Sequence, residues 1–242
     1  MKVKRKWIVF SFALAAVSLA GALLPHSEAG GTDAALSAGD IAWIISATGL
    51  VLLMTPGVSF FYGGMVRTKN VISTMLQSFV AMGVISIVWV VVGFSLAFGK
   101  DIGGLIGNPL TYFMFRNVGG NPEPAFAATI PLALFALFQL KFAIITPALI
   151  TGSFAERVKF SAYLLFMVLW SVIIYAPLAH WTWHPDGFLR RLGVLDFAGG
   201  TVVHMAAGVA ALAGALFLGQ RAEHKVAYRP ANIPFVMLGT AL

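Results

Sequence analysis

At 242 residues, of which 59% are hydrophobic and 10% charged, the chain carries far too few charges for a soluble domain, in which about a quarter of residues are charged. The formal net charge of +7 does not mark a nucleic-acid surface: four of the sixteen basic residues (Lys2, Lys4, Arg5, Lys6) fall at the very start, and the rest stand singly or in pairs beside apolar runs. With a mean hydropathy of +0.88 and no cysteine to build disulfides, thiolate zinc sites or a cysteine nucleophile, the composition is that of an all-α, polytopic transmembrane helical bundle.

Residues 1–29 combine a basic start, an apolar stretch from Trp7 to Leu24 and the small-x-small sequence Ser27-Glu28-Ala29, the pattern of a cleaved signal peptide. An uncleaved first helix is the alternative. A Gly-, Ala- and Ser-rich lead-in over 30–38 follows, then a first span over 41–65 with Thr55-Pro56-Gly57 in its middle, a kink that serves either a path or simple packing. The pattern predicts further spans over 71–98, 125–154, 160–181 and 197–219. A Gly- and Pro-bearing loop over 99–124 and a Trp-His-Pro-Asp-Gly turn within 181–195 separate them. A last apolar run begins at Ile233 and stops at Leu242, about half of the ~20 residues a span needs. The sequence therefore looks like the first portion of a longer transmembrane domain, over 30–242, holding helices one to five and the start of a sixth.

Basic residues orient these spans. With the mature N-terminus outside, the inner loops hold seven (Arg67, Lys69, Arg157, Lys159, Arg221, Lys225, Arg229), whereas the longer outer loops hold four (Lys100, Arg116, Arg190, Arg191). The location expected is the cell's inner membrane, with multiple passes.

Chemistry concentrates in three places. In the fifth span the row Gly200, His204, Gly208 sets an imidazole between two residues without side chains, so a neighbouring helix or a file of small molecules can approach it. A core histidine bonded to a backbone carbonyl is the competing reading. In the third span Phe138 and Phe142 lie four apart on one face, with Thr146 a turn further on. Such stripes usually pack, but Trp181 and Trp183 end the fourth span at the same outer side, and an indole over Phe142 attracts a small cation by roughly 0.5–2 kcal/mol. One of these tryptophans can instead be an interfacial anchor. Asp196, just before the fifth span, is placed to accept from the N–H groups of that helix's first turn and adds negative charge at the mouth.

Taken together, Pro-Gly-Val-Ser-Phe-Phe-Tyr-Gly-Gly-Met-Val-Arg (56–67), Phe-Gln-Leu-Lys-Phe-Ala-Ile-Ile-Thr (138–146), Gly-Ser-Phe-Ala-Glu-Arg (152–157) and Asp-Phe-Ala-Gly-Gly-Thr-Val-Val-His (196–204) resemble the ammonium transporter family, the Amt, Mep and Rh proteins, over residues 39–242. The resemblance implies a homotrimer of eleven-helix protomers, each with a pore between two inverted five-helix repeats. It casts Trp183 and Phe142 as an outer ammonium recruitment site, Phe138 as a pore phenylalanine, Asp196 as the acid that steadies the region and His204 as the first of two pore histidines. It implies transport of ammonium or ammonia with no cofactor and no enzymatic step, and a PII-type regulatory protein at the inner face. An ammonium sensor and a neutral-gas channel are the alternatives. The sequence departs from the family at Lys141, where the family usually has an uncharged residue, and the second repeat is absent.

Overall fold

The computed structural model describes residues 36–221 and 229–242, with the isolated positions 12, 13, 15, 16 and 19; apart from those positions the expected signal peptide lies outside the described residues. Helix α1, Ala38–Met65, starts at an N-cap, Ser37, whose hydroxyl accepts from the Asp40 N–H at 3.2 Å, and it runs through Pro56. Helix α2 runs Val71–Val88, passes through a π-turn at Trp89–Gly93 and ends with Phe94–Phe98. Helix α3 is Leu132–Phe154, and α4 runs Phe160–Trp170, a second π-turn at Ser171–Tyr175, then Ala176–Trp183. A single turn, α5 (Phe188–Arg191), precedes α6, which opens with a π-turn at Gly200–Met205 and continues as Ala206–Leu218; α7 is Ile233–Ala241. Among the described residues, five helical stretches are long and apolar enough to cross a membrane.

The first helix begins at Ala38 rather than 41 and the fourth ends at Trp183 rather than 181, and two further boundaries differ for reasons local to the chain. The third helix begins at Leu132 rather than 125, because Pro131 supplies its N-cap position and a proline disfavours helical backbone in the residue before it. The fifth begins at Gly200 rather than 197, after a left-handed Gly199 (φ 80°) that redirects the chain. The outer loop also forms a small antiparallel pair, β1 (Asp101–Ile102) with β2 (Ile106–Gly107), turned by Gly103 and Gly104, both at positive φ.

Helices α1 to α4 and α6 pack through polar groups aimed at neighbours, as hydrocarbon requires. The Tyr62 hydroxyl donates to the Leu149 carbonyl at 2.7 Å, the Trp89 indole N–H to the Ala136 carbonyl at 3.1 Å, and the Tyr163 hydroxyl lies 3.0 Å from the Pro147 carbonyl and 2.6 Å from the Thr151 hydroxyl. The Pro-Gly segment of α1 meets the end of α7, where a Cβ on Gly57 would stand 3.0 Å from the Leu242 Cβ. A Cβ on Gly64 would stand 2.6 Å from the Asn232 carbonyl and 2.8 Å from the Val236 nitrogen, so only glycine lets α7 settle there.

Aromatic rings pack the end of the bundle at which α2 ends and α3 begins. Phe94 contacts Tyr112 and Phe115 at ring-centroid distances of 5.0 and 5.8 Å, and Phe98 contacts Phe126 and Phe135 at 5.4 and 5.0 Å. Each such pair is worth about 0.5–1.5 kcal/mol beyond its area. The loop is thereby folded down onto α2 and α3.

At the opposite end, where α1 and α3 finish, Glu156 is the anchor. Its side chain is 3% exposed, and one carboxylate oxygen accepts from the Arg67 backbone N–H at 3.0 Å, the Arg67 guanidinium at 3.2 Å and the Asn70 amide at 2.7 Å. The Arg221 guanidinium stands 3.9 Å from the other oxygen, so the ends of α1, α3 and α6 converge on one buried charge. Replacing Glu156 by Ala leaves Arg67 and Asn70 without that acceptor and is expected to remove about 3–5 kcal/mol of stability. A thermal-unfolding midpoint in detergent equal to that of the unaltered protein would refute this.

Candidate functional site

Three elements converge at the outer end: the face of α3, the last turn of α4 and the segment that leads into α6. On α3, Phe138 and Phe142 meet edge to face with centroids 5.0 Å apart, as their spacing predicts. Across from them the Trp183 ring, on the last residue of α4, lies 6.2 Å from Phe142 at an interplanar angle of 70°. Trp183 is thus the tryptophan that faces inward. Trp181 packs on Phe188 at 5.1 Å and donates its indole N–H to the Leu105 carbonyl, which makes it an anchor of the outer loop.

Asp196 caps α6 from four residues before its start. Its carboxylate accepts from the Thr201 and Val202 N–H groups at 3.2 and 3.0 Å, two of the donors a helix leaves open at its N-terminus. These elements enclose a cavity of about 480 Å³, whose lining includes Phe138, Gln139, Phe142, Trp183 and Asp196. Phe126 and Phe135 also line it. Phe135 was recoverable from sequence, since it precedes Phe138 by three and Phe142 by seven positions on one helical face. Phe126 comes from the loop and carries no such signal. Arg190, an exposed base, lines the cavity as well.

The Gln139 side-chain oxygen is buried without a hydrogen-bond partner and belongs to the cavity wall. Lys141 does not line the cavity; it is half-buried on α3 and makes no ion pair among the described residues.

His204 lies elsewhere. It is in the π-turn that opens α6, and it is exposed together with Gly200 and Gly208, so the three share an uncovered face. No carbonyl of a described residue accepts from its ring, and a Cβ on Gly208 would meet no atom within 4 Å. The structure does not place His204, Gly200 or Gly208 in the cavity of Trp183 and Phe142. A second, larger groove of about 810 Å³ between α4 and α6 is lined almost wholly by apolar residues, among them Phe166, Trp170, Val209 and Phe217. Among the described residues no group of three or more His, Cys, Asp or Glu is placed to hold a metal ion.

Residues 42–242 match the profile of the Ammonium Transporter Family. The chain belongs to the ammonium transporter family. Relatives in this family include the ammonium transporters of Aquifex aeolicus, 47% identical over 87% of this chain and 49% of the relative, and of Mycobacterium tuberculosis, 47% identical over 84% of this chain and 47% of the relative. The crystal structure of Saccharomyces cerevisiae Mep2 superposes with a TM-score of 0.76 at 37% identity, over 85% of this chain and 46% of that one. A structure named "Sensor Amt Protein" superposes with a TM-score of 0.72 at 32% identity, over 83% and 51% of the two chains. The chain spans about half the length of the relatives it matches. This ammonium transporter family member is a multi-pass helical membrane protein with the fold of the Mep2 and Amt structures.

The Asp196 cap is open to a direct test. Asp196→Ala leaves the Thr201 and Val202 N–H groups without their acceptor and is expected to lower stability by about 0.5–2 kcal/mol, whereas Asp196→Asn, which keeps an oxygen, costs less. Thermal midpoints of the two variants in detergent give the order, and equal midpoints would argue against the cap.

Proposed function

We propose that this protein moves ammonium or ammonia across the membrane, gathering the cation at the outer aromatic site and passing the neutral molecule inward. The observation that carries this reading is the Trp183 indole facing Phe142 across the cavity, with Phe138 directly behind it on α3. The faces of these rings attract a small cation, by roughly 0.5–2 kcal/mol depending on how dry the site is. Asp196 contributes negative charge beside them while it stays engaged with the start of α6.

Beyond the aromatic site a bare ion becomes expensive, because nothing in an apolar path replaces its water shell. Ammonium that gives up its proton at this point crosses as ammonia. His204, between Gly200 and Gly208, has a ring nitrogen available either to bond the neutral molecule or to relay a proton. A pore of that kind needs a second wall over the uncovered face of α6, which in this reading is supplied by the remainder of the transmembrane domain begun by residues 30–242.

The reading includes a homotrimer in the cell's inner membrane and a mature N-terminus outside after removal of residues 1–29. It also includes a PII-type regulatory protein at the inner face. The exposed apolar side of α1, with Trp43 at 74% and Leu50 at 67% exposure, suits contact with lipid or with another subunit. The protein acts as a conduit and not as an enzyme, in keeping with the transporter names of its relatives. The likeness to a protein named as a sensor supports a second reading, in which the same site detects ammonium.

Expression from the native reading frame in cells lacking their own ammonium uptake separates these readings. Trp183→Ala is expected to raise the KM for methylammonium by roughly 2- to 30-fold, the equivalent of losing the cation–π attraction. His204→Ala is expected to reduce maximal uptake by about 10²-fold, the scale of a lost proton-handling group. Undiminished uptake in His204→Ala would remove the histidine from the mechanism. Saturable binding with no uptake in the unaltered protein would favour the sensor.

A further inference from the structure

Outside the cavity lies a buried cluster of titratable groups that the transport reading does not use. His180, on α4 three residues before Trp183, is fully buried. Its Nδ1 lies 2.9 Å from the Ala97 carbonyl near the end of α2, and its Nε2 lies 2.9 Å from Oδ1 of Asp101 in β1. A carbonyl only accepts, so Nδ1 carries a hydrogen, and the contact between Nε2 and Oδ1 holds one more proton between the two residues. The same Asp101 oxygen accepts from the Gly104 N–H at 2.7 Å and so shapes the turn between β1 and β2. His184 stacks on His180 with centroids 4.5 Å apart, and its Nδ1 accepts from the Asp186 N–H at 3.1 Å. Arg191 is paired with Asp186 at 2.8 Å.

We propose that the pair formed by buried His180 and partly buried Asp101 is the positioning element for Trp183: it ties the end of α4 to the β1–β2 hairpin and thereby sets where the indole stands over Phe142. This inference rests on the recruitment reading of Trp183. The last segment of α4, Ala176–Trp183, follows directly on the π-turn at Ser171–Tyr175. Hydrogen bonding in a π-turn is less regular than in an α-helix, so the direction of the segment beyond it is set by its tertiary contacts. Those contacts are shared between the end of α2, Phe94–Phe98, and the hairpin. Besides the His180 pair, the Trp181 indole bonds the Leu105 carbonyl and the Phe188 N–H bonds the Gly104 carbonyl at 3.0 Å. Both of these depend on a turn that Asp101 itself holds closed.

Trp183 is one helical turn from His180, about 4.5 Å along the axis. Cation–π attraction fades beyond about 6 Å from a ring centroid, so a displacement of the helix end on the order of 1 Å is felt directly in cation capture. Partial burial pushes the Asp101 carboxyl up, but the His180 and Gly104 hydrogen bonds and the charges of His180 and Arg191 outweigh this and hold it below the usual carboxylate range. The contribution of the carboxylate is therefore fully present above its ordinary value of about 3.9 and is lost only as the pH falls through the lower folded value.

The test is a double-mutant cycle on methylammonium uptake by the full native protein, normalised to the amount in the membrane. Asp101 is the residue to vary, because removing the buried His180 risks misfolding. Asp101→Ala is expected to raise KM several-fold with little change in maximal rate. Asp101→Asn, which keeps an oxygen to accept from the Gly104 N–H, is expected to restore part of it. In a Trp183→Ala background, Asp101→Ala is expected to add nothing further. An equal KM increase from Asp101→Ala in both backgrounds, a loss of maximal rate alone, or no change with Trp183 intact would overturn the positioning role while leaving recruitment standing. If Trp183→Ala by itself leaves KM unchanged, the recruitment reading fails and this inference falls with it.

Discussion

A charged or hydrogen-bonding group inside hydrocarbon has no water to turn to, so its partner must be supplied by the protein. The placement of charge in this chain follows from that. At one end of the bundle the Glu156 carboxylate is buried among Arg67, Asn70 and Arg221, and at the other Asp101 is bound to His180 and Asp196 to the first N–H groups of α6. Glu156 and Asp101 tie together segments distant in sequence, and Asp196 closes a local cap. The helices between them are then free to be almost wholly apolar and to pack through single tyrosine and tryptophan hydrogen bonds.

The outer cavity is a product of the same constraint. Its floor and one wall are the phenylalanines of α3, which need no partners, and its far wall is Trp183, which exists at that spot only because α4 ends there. The aromatic loop over 108–131 closes the upper side by packing Phe115 and Phe126 onto Phe94 and Phe98. A site with π-faces on two sides and a fixed carboxylate nearby favours a small cation without holding it by any strong ion pair. Weak holding at the entrance suits passage, because a tightly bound ion does not leave.

Three π-turns interrupt α2, α4 and α6, and each lies where a helix must change the face it presents. The turn in α2 brings Trp89 against Phe94, Phe98 and Tyr175; that in α4 precedes Trp183; that in α6 carries His204. Such turns often occur at functional positions, because the extra residue re-aims the side chains that follow. They also make the segments beyond them dependent on tertiary holds, which gives the His180 and Asp101 pair its leverage.

Much of this was legible in the sequence, for local reasons. Apolar runs of membrane length fixed five spans, the four-residue spacing of Phe138 and Phe142 fixed their shared face, and the motif over 196–204 identified the family. The beginnings of α3 and α6 lie later than expected because apolar composition alone does not distinguish helix from the extended backbone at Pro131 or the left-handed bend at Gly199. The sequence by itself determined the class, the number of spans and the residue types available for cation chemistry, since these depend on periodicity and composition along one strand of chain. Only the tertiary structure decided which tryptophan faces the cavity, that Lys141 lies off it, that His204 lies on an uncovered face, and that Asp101 meets His180. Those contacts join segments as many as 79 residues apart, and no local pattern encodes where two distant segments meet.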